Sequence, residues 1–137
     1  MFRVLSLVVG LCLVAGCGDG RPQTAPVSGK VIYNGEPLKT GTVMFLSNTP
    51  NMPYATGEIG PDGVYKMKTF EDGDGAVLGS HRVSISAVEV PNPAVPEARS
   101  LLPSKYSTDA TSGLTAEVKE GENVIDFTLE AEKTRRK

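Results

Sequence analysis

The chain has 137 residues, with 14 Lys and Arg against 16 Asp and Glu and a single histidine, for a formal net charge of −2. So balanced a surface has no field that would draw nucleic acid or an anionic membrane, which sets those partners aside. The 15 glycines and 10 prolines fall at regular intervals rather than in one block, which reads as turns between short strands and not as disorder.

At the amino terminus, Arg3 precedes an apolar run from Val4 to Val14. The run is too short to cross a bilayer as a helix and fits the core of a secretory signal. It ends in Leu13-Val14-Ala15-Gly16-Cys17. These residues resemble the lipobox of bacterial lipoproteins, an aliphatic residue and two small ones before a cysteine. The resemblance implies transfer of diacylglycerol to the Cys17 sulfur, cleavage between Gly16 and Cys17, and acylation of the new amino terminus. A single acyl chain holds only marginally, whereas two or three give a lasting anchor.

The expectation is therefore a signal peptide over residues 1–16 and a mature protein lipid-anchored at the cell envelope. An ordinary cleaved signal and an uncleaved apolar amino terminus are the alternatives. Gly18 stands where enterobacterial sorting would read an aspartate for inner-membrane retention. That leans toward the outer membrane under the same rule, with the cytoplasmic membrane as the other possibility. Loss of the leader removes Arg3 and Cys12, shifting the charge from −2 to −3 and leaving Cys17 as the only thiol. With Cys17 acylated, neither a disulfide nor a zinc ligand set can form, and the core alone must hold the domain.

Residues 17–25 are almost free of apolar side chains and read as a flexible lipidated tether, residues 26–130 as one domain, and residues 131–137 as a basic tail. A coil of about eight residues spans roughly 15 Å, so the domain should sit close to the membrane. Within the domain, Val27, Gly29, Val31 and Tyr33 share one face before the Asn34-Gly35 turn signal. Val43 and Phe45 alternate next, then Ala55, Gly57 and Ile59. Pro61-Asp62-Gly63 is a turn in which Pro presets φ and Gly accepts positive φ. Tyr65, Met67 and Thr69 then alternate with Lys66 and Lys68. Past the acidic segment 71–75, His81, Val83, Ile85 and Ala87 face Arg82, Ser84 and Ser86. After a Pro-rich connection over 91–103 come Leu114, Ala116 and Val118, and finally Ile125, Phe127 and Leu129. Seven short runs in about a hundred residues predict an all-β fold, a seven-stranded antiparallel sandwich. Its expected core is Val31, Val43, Phe45, Tyr65, Val83, Ile85, Val118, Ile125 and Phe127.

Four segments carry a second resemblance: Val27–Leu38 with its V-x-G-x-V opening and later Pro37-Leu38, Gly41–Phe45, the Asp62-Gly63-Val64-Tyr65 stretch, and Gly79–Val83. They are similar to the carboxypeptidase regulatory-like, or transthyretin-like, domains of bacterial exported proteins. The segments 102–106 and 112–118 are similar to a subset abundant in planctomycete lipoproteins. The resemblance implies a Greek-key β-sandwich. It does not choose among transport, regulatory, adhesive and sugar-binding roles. His81 occupies the slot where that family usually has an aromatic.

The residues offer little catalytic chemistry. His81 is the only histidine, and alternation puts it on the apolar face, so it reads as packed rather than as a catalytic base. The hydroxyisourate hydrolase that resembles transthyretin uses a pattern of two histidines, an arginine and a C-terminal Tyr-Arg-Gly-Ser, which this chain lacks. The run Glu71-Asp72-Gly73-Asp74-Gly75 has oxygen ligands for calcium but no distal bidentate glutamate, and it reads as a solvated loop. Lys30 and Asp126 alternate outward, which argues against an isopeptide cross-link.

Lys105 and Tyr106, on an irregular segment, are the candidate partner contact. The competing reading is that Tyr106 plugs one end of the sandwich. The functional expectation is a non-catalytic binding or structural module, with no metal or other cofactor, reaching the membrane through its lipid and an envelope protein or glycan through its surface. The alternatives are a carbohydrate- or peptidoglycan-binding module, disfavoured by the absence of Trp, and an unrecognised hydrolase.

Overall fold

Alternation of apolar and polar side chains is carried directly into strands whose alternate residues are buried. The computed structural model describes residues 18–89, 92–94 and 97–133. In chain order the strands are β1 (Thr24–Ala25), β2 (Val27–Tyr33), β3 (Glu36–Pro37), β4 (Thr42–Ser47), β5 (Ala55–Glu58), β6 (Val64–Lys66), β7 (Ala76–Val77), β8 (Gly79–Ser86), β9 (Val88–Glu89) and β10 (Arg99–Ser100). A 3-10 turn (Ser104–Ser107) and a one-turn helix α1 (Asp109–Ser112) then lead into β11 (Leu114–Val118), β12 (Asn123–Val124) and β13 (Phe127–Leu129). The fold is all-β.

One sheet is antiparallel, in the order β11-β8-β4-β5. The other is built around β2, with β6 and β3 antiparallel along one side and β12 and β13 parallel along the other. The inner faces meet in one core. Phe45 of β4 packs edge-on against Phe127 of β13 at 6.2 Å, and Phe127 stacks on Tyr65 of β6 at 6.1 Å. Val31, Val43, Phe45, Val83 and Ile85 are wholly buried, with Tyr65, Val118 and Phe127 nearly so.

The structure departs from the sequence reading in three places. The sandwich is not antiparallel throughout, because β12 and β13 run parallel to β2. β11 lies in the opposite sheet, so the chain reaches β2 by a crossover rather than a hairpin, and a crossover admits parallel entry. The seven runs resolve into thirteen strands among the described residues, several of them two-residue pairs such as β1 with β7 and β9 with β10. Ile125 is only half-buried, packed against the edge of the core.

Ile125 lies at the break between β12 and β13. Its carbonyl approaches β2 at Gly29, where a Cβ would overlap that oxygen and lie 2.9 Å from the Tyr65 hydroxyl. Tyr65 donates its hydroxyl proton to the same carbonyl. The next residue, Asp126, takes the Lys30 backbone N–H on its carboxylate at 2.8 Å.

Candidate functional site

His81 lies on β8 with no exposed surface, its ring 5.5 Å from that of Phe45. Its Nε2 is 2.7 Å from the Val77 carbonyl oxygen, an acceptor only, so the proton sits on Nε2. Nδ1 is buried without a partner. The packed reading therefore needs one correction: His81 contributes a directed hydrogen bond as well as shape. Buried as it is, the imidazole presents no face to a substrate.

The acidic loop is organised by Asp74. One carboxylate oxygen accepts the Thr69 N–H at 2.7 Å, and the other accepts those of Phe70 and Glu71 at 2.8 and 3.0 Å. Partial burial opposes ionisation here, but these backbone donors outweigh it and hold the carboxyl below the usual range. Asp72 pairs with Lys68 at 3.3 Å. The carboxylates thus serve the loop's own backbone and a neighbouring lysine. Among the described residues no group of three or more His, Cys, Asp or Glu is placed to hold a metal ion. Lys30 and Asp126 are both exposed, with Asp126 engaged by backbone instead of by the lysine ammonium.

Lys105 and Tyr106 fall on the 3-10 turn and divide their roles. Tyr106 is 6% exposed, and its hydroxyl takes the Glu130 N–H at 3.1 Å and reaches the Glu130 carbonyl at 3.3 Å. It pins the end of the last strand. Lys105 lies over the Tyr106 ring, its ammonium 4.8 Å from the centroid. The ring is therefore not free to stack on a partner, and Tyr106 takes the place that the end-plug reading gives it. Lys105 remains on the surface, beside a groove of about 570 Å³ shared with Thr128, Glu130 and Lys133.

A second groove was not legible in the sequence. It has about 620 Å³ and runs along the outer side of β5 and β6, between Thr42, Thr56, Glu58, Asp62, Lys66 and Lys68. Alternation places the strand side chains among these outward, and Asp62 joins them from the turn before β6. What brings them together is the joining of the two sheets by bridges between Thr56 and Lys68 and between Ile59 and Tyr65, a long-range event with no local signature. Hydroxyls, ammonium groups and carboxylates on its walls can hydrogen-bond a polyhydroxylated ligand. No aromatic ring lines it.

The tether is held more closely than a coil. β1 pairs with β7, and Gln23 accepts the Leu78 N–H at 3.2 Å. Gly75, at φ +86°, sits where a Cβ would overlap the Ala25 carbonyl. Further out, the Arg21 guanidinium lies 5.1 Å from the Phe70 ring centroid and reaches Asp19 at 3.3 Å and Glu71 at 4.0 Å. The expectation of a flexible segment through residue 25 is corrected accordingly. Gly16 and Cys17 lie outside the described residues, as does the tail beyond residue 133. No helix among the described residues is long and apolar enough to cross a membrane.

No family model and no curated protein matches the sequence. Among solved structures, a DUF3823 family protein from Parabacteroides merdae ATCC 43184 is similar at 14% identity and a TM-score of 0.42, over 80% of this chain and 46% of that one. A 9R-lipoxygenase from Cyanothece PCC8801 is similar at 14% identity and a TM-score of 0.40, over 80% of this chain and 16% of that one. The chain thus spans less than half of either protein.

Proposed function

We propose that the protein is a lipid-anchored module of the cell envelope with a non-catalytic binding or structural role, on a Greek-key sandwich of the carboxypeptidase regulatory-like type. The observation that carries this reading is the Leu13–Cys17 motif, followed by only six residues before the first strand at Thr24. A lipid on Cys17 would hold the domain at the membrane without a spanning helix. The family reading draws support from Gly29 of the V-x-G-x-V opening and Tyr65 of the Asp62–Tyr65 stretch, which meet at the Ile125 carbonyl. The non-catalytic reading draws support from the burial of the sole histidine. The partners proposed are the membrane, through the lipid, and an envelope protein or glycan, through the surface.

The test is the intact mass of protein purified from membranes, together with detergent-phase partitioning. The expected species begins at Cys17 and carries diacylglycerol, and Cys17→Ser should abolish both cleavage and the added lipid mass. A Cys17→Ser protein processed like the wild type would overturn the anchor.

The polar groove along β5 and β6 favours a second reading, a carbohydrate- or peptidoglycan-binding module. Glu58→Ala with Lys66→Ala should then weaken retention on purified peptidoglycan. Equal retention of both proteins would remove the groove from consideration.

A further inference from the structure

We propose that the end of the domain where the tether enters is a docking face for the bilayer itself, one that prefers neutral headgroups. The inference rests on the lipid-anchor reading and adds an orientation to it. Because β1 is paired to β7 and Arg21 is held over Phe70, only Gly18–Gly20 separate Cys17 from the first pinned residue. The four Cα–Cα steps from Cys17 to Arg21 reach about 14 Å at most when fully extended. A lipid inserted at Cys17 therefore brings this end, and no other, against the headgroups.

The same end carries exposed apolar side chains. Tyr54 is 58% exposed, Phe70 41%, Met52 36% and Val124 74%. The register places them together. Tyr54 and Phe70 each lie two residues beyond the Thr56–Lys68 bridge, toward the tether, and Met52 follows the Pro50-Asn51 turn, two residues before Tyr54. Val124 pairs with Ser28, next to the first residue of β2. Exposed aromatic rings with aliphatic neighbours at one end of the domain are the side chains that settle at the headgroup boundary.

Charge selects among bilayers. Of the cations at this end, Arg21 is paired with Asp19 and Glu71 and Lys68 with Asp72, while Lys66 and Lys119 are exposed, and the carboxylates of Asp19, Glu71, Asp72 and Asp74 already balance all four. Glu120 and Glu122 add exposed carboxylates on the adjacent turn. An anionic surface would repel this rim, whereas a zwitterionic one would not.

The experiment uses full-length lipidated protein in vesicles of phosphatidylcholine. Loss of Cys12 with the leader and acylation of Cys17 leave no competing thiol, so Tyr54→Cys, Phe70→Cys and Val124→Cys can each carry one fluorophore. Val88→Cys, at the opposite end and 56% exposed in the wild type, is the reference. Spin-labelled lipid should quench the three tether-end probes about threefold more than the reference, and anionic lipid should reduce that difference. Equal quenching at all four sites, in protein whose Cys17 lipid is verified by mass, would overturn the docking face and leave the anchor standing. Stronger quenching on anionic vesicles would overturn the headgroup preference. Protein without lipid on Cys17 would instead mean that the underlying reading had failed.

Discussion

The Tyr65 hydroxyl meets the Ile125 carbonyl in space that Gly29 leaves open. One hydrogen bond thereby ties β6 to the break in the last strand, across the middle of β2. Burial, reinforced by the negative charge of Asp126, keeps the Tyr65 phenol protonated well above its usual range, so it remains a donor at any physiological pH. Gly29→Ala should cost more than Tyr65→Phe. The first drives a methyl into backbone that cannot withdraw without unpairing β12 and β13. The second leaves one acceptor unpaired, at about 1–3 kcal/mol. Urea midpoints of the two variants measure the order, and a Tyr65→Phe protein less stable than Gly29→Ala would contradict it.

Phe45 and Phe127 couple the sheets. Either residue changed to Ala should cost about 3–5 kcal/mol. Because their rings touch edge to face, the double variant should lose less than the sum, by about 0.5–1.5 kcal/mol. Strict additivity in a double-mutant cycle would show that the two sheets are held together elsewhere.

His81→Tyr would restore the aromatic usual in the resembled family, and from alternation alone it should be neutral or stabilising. The bond from Nε2 to Val77, in a site with no free surface, reverses that expectation. A tyrosine is larger and leaves the Val77 carbonyl unpaired, so a loss of about 1–3 kcal/mol is expected in thermal melts at pH 7.

Asp74 gives the acid limb of stability a specific origin. Its carboxyl titrates lower in the folded chain than in the unfolded one. Its contribution is therefore complete above the unfolded value, about 3.9, and is lost as pH falls through the lower folded value. Asp74→Asn should lower the denaturation midpoint at pH 7, and the gap to wild type should narrow as pH falls through the folded value, where the carboxyl loses its charge in both states. A gap that persists there would mean that the asparagine disturbs the loop for another reason.

Tyr106→Phe removes both contacts to the Glu130 backbone. Amide exchange should rise at Glu130 and its neighbours, with a stability loss of about 1 kcal/mol. Lys105→Ala, which loses only an exposed ammonium over the ring, should leave exchange unchanged.

Much of the inner face was legible because a period of two is a local property. Val31, Val43, Phe45, Val83 and Phe127 needed no knowledge of their partners to be placed inward. Pairing was not local. Nothing near Phe127 says that β13 lies parallel to β2, and nothing near Thr56 says that Lys68 will bridge to it and close one side of a groove. His81 was placed correctly by alternation, but its bond depends on where the Val77 carbonyl points. Tyr106 sits outside any alternating run, so its burial had no periodic signal, and the pinning of Arg21 on Phe70 joins residues 49 apart.

The strand that opens the domain, β2, is completed by residues almost a hundred positions further along the chain. The Lys30 amide waits for Asp126, 96 residues later, and Asn34 for Ala131, 97 residues later. Contacts so distant in sequence cannot form while the chain is still emerging, and they slow folding afterwards. For a chain proposed to leave the cytoplasm, that delay is useful. It keeps the polypeptide threadable during synthesis and lets the sheet close only once its far end has arrived.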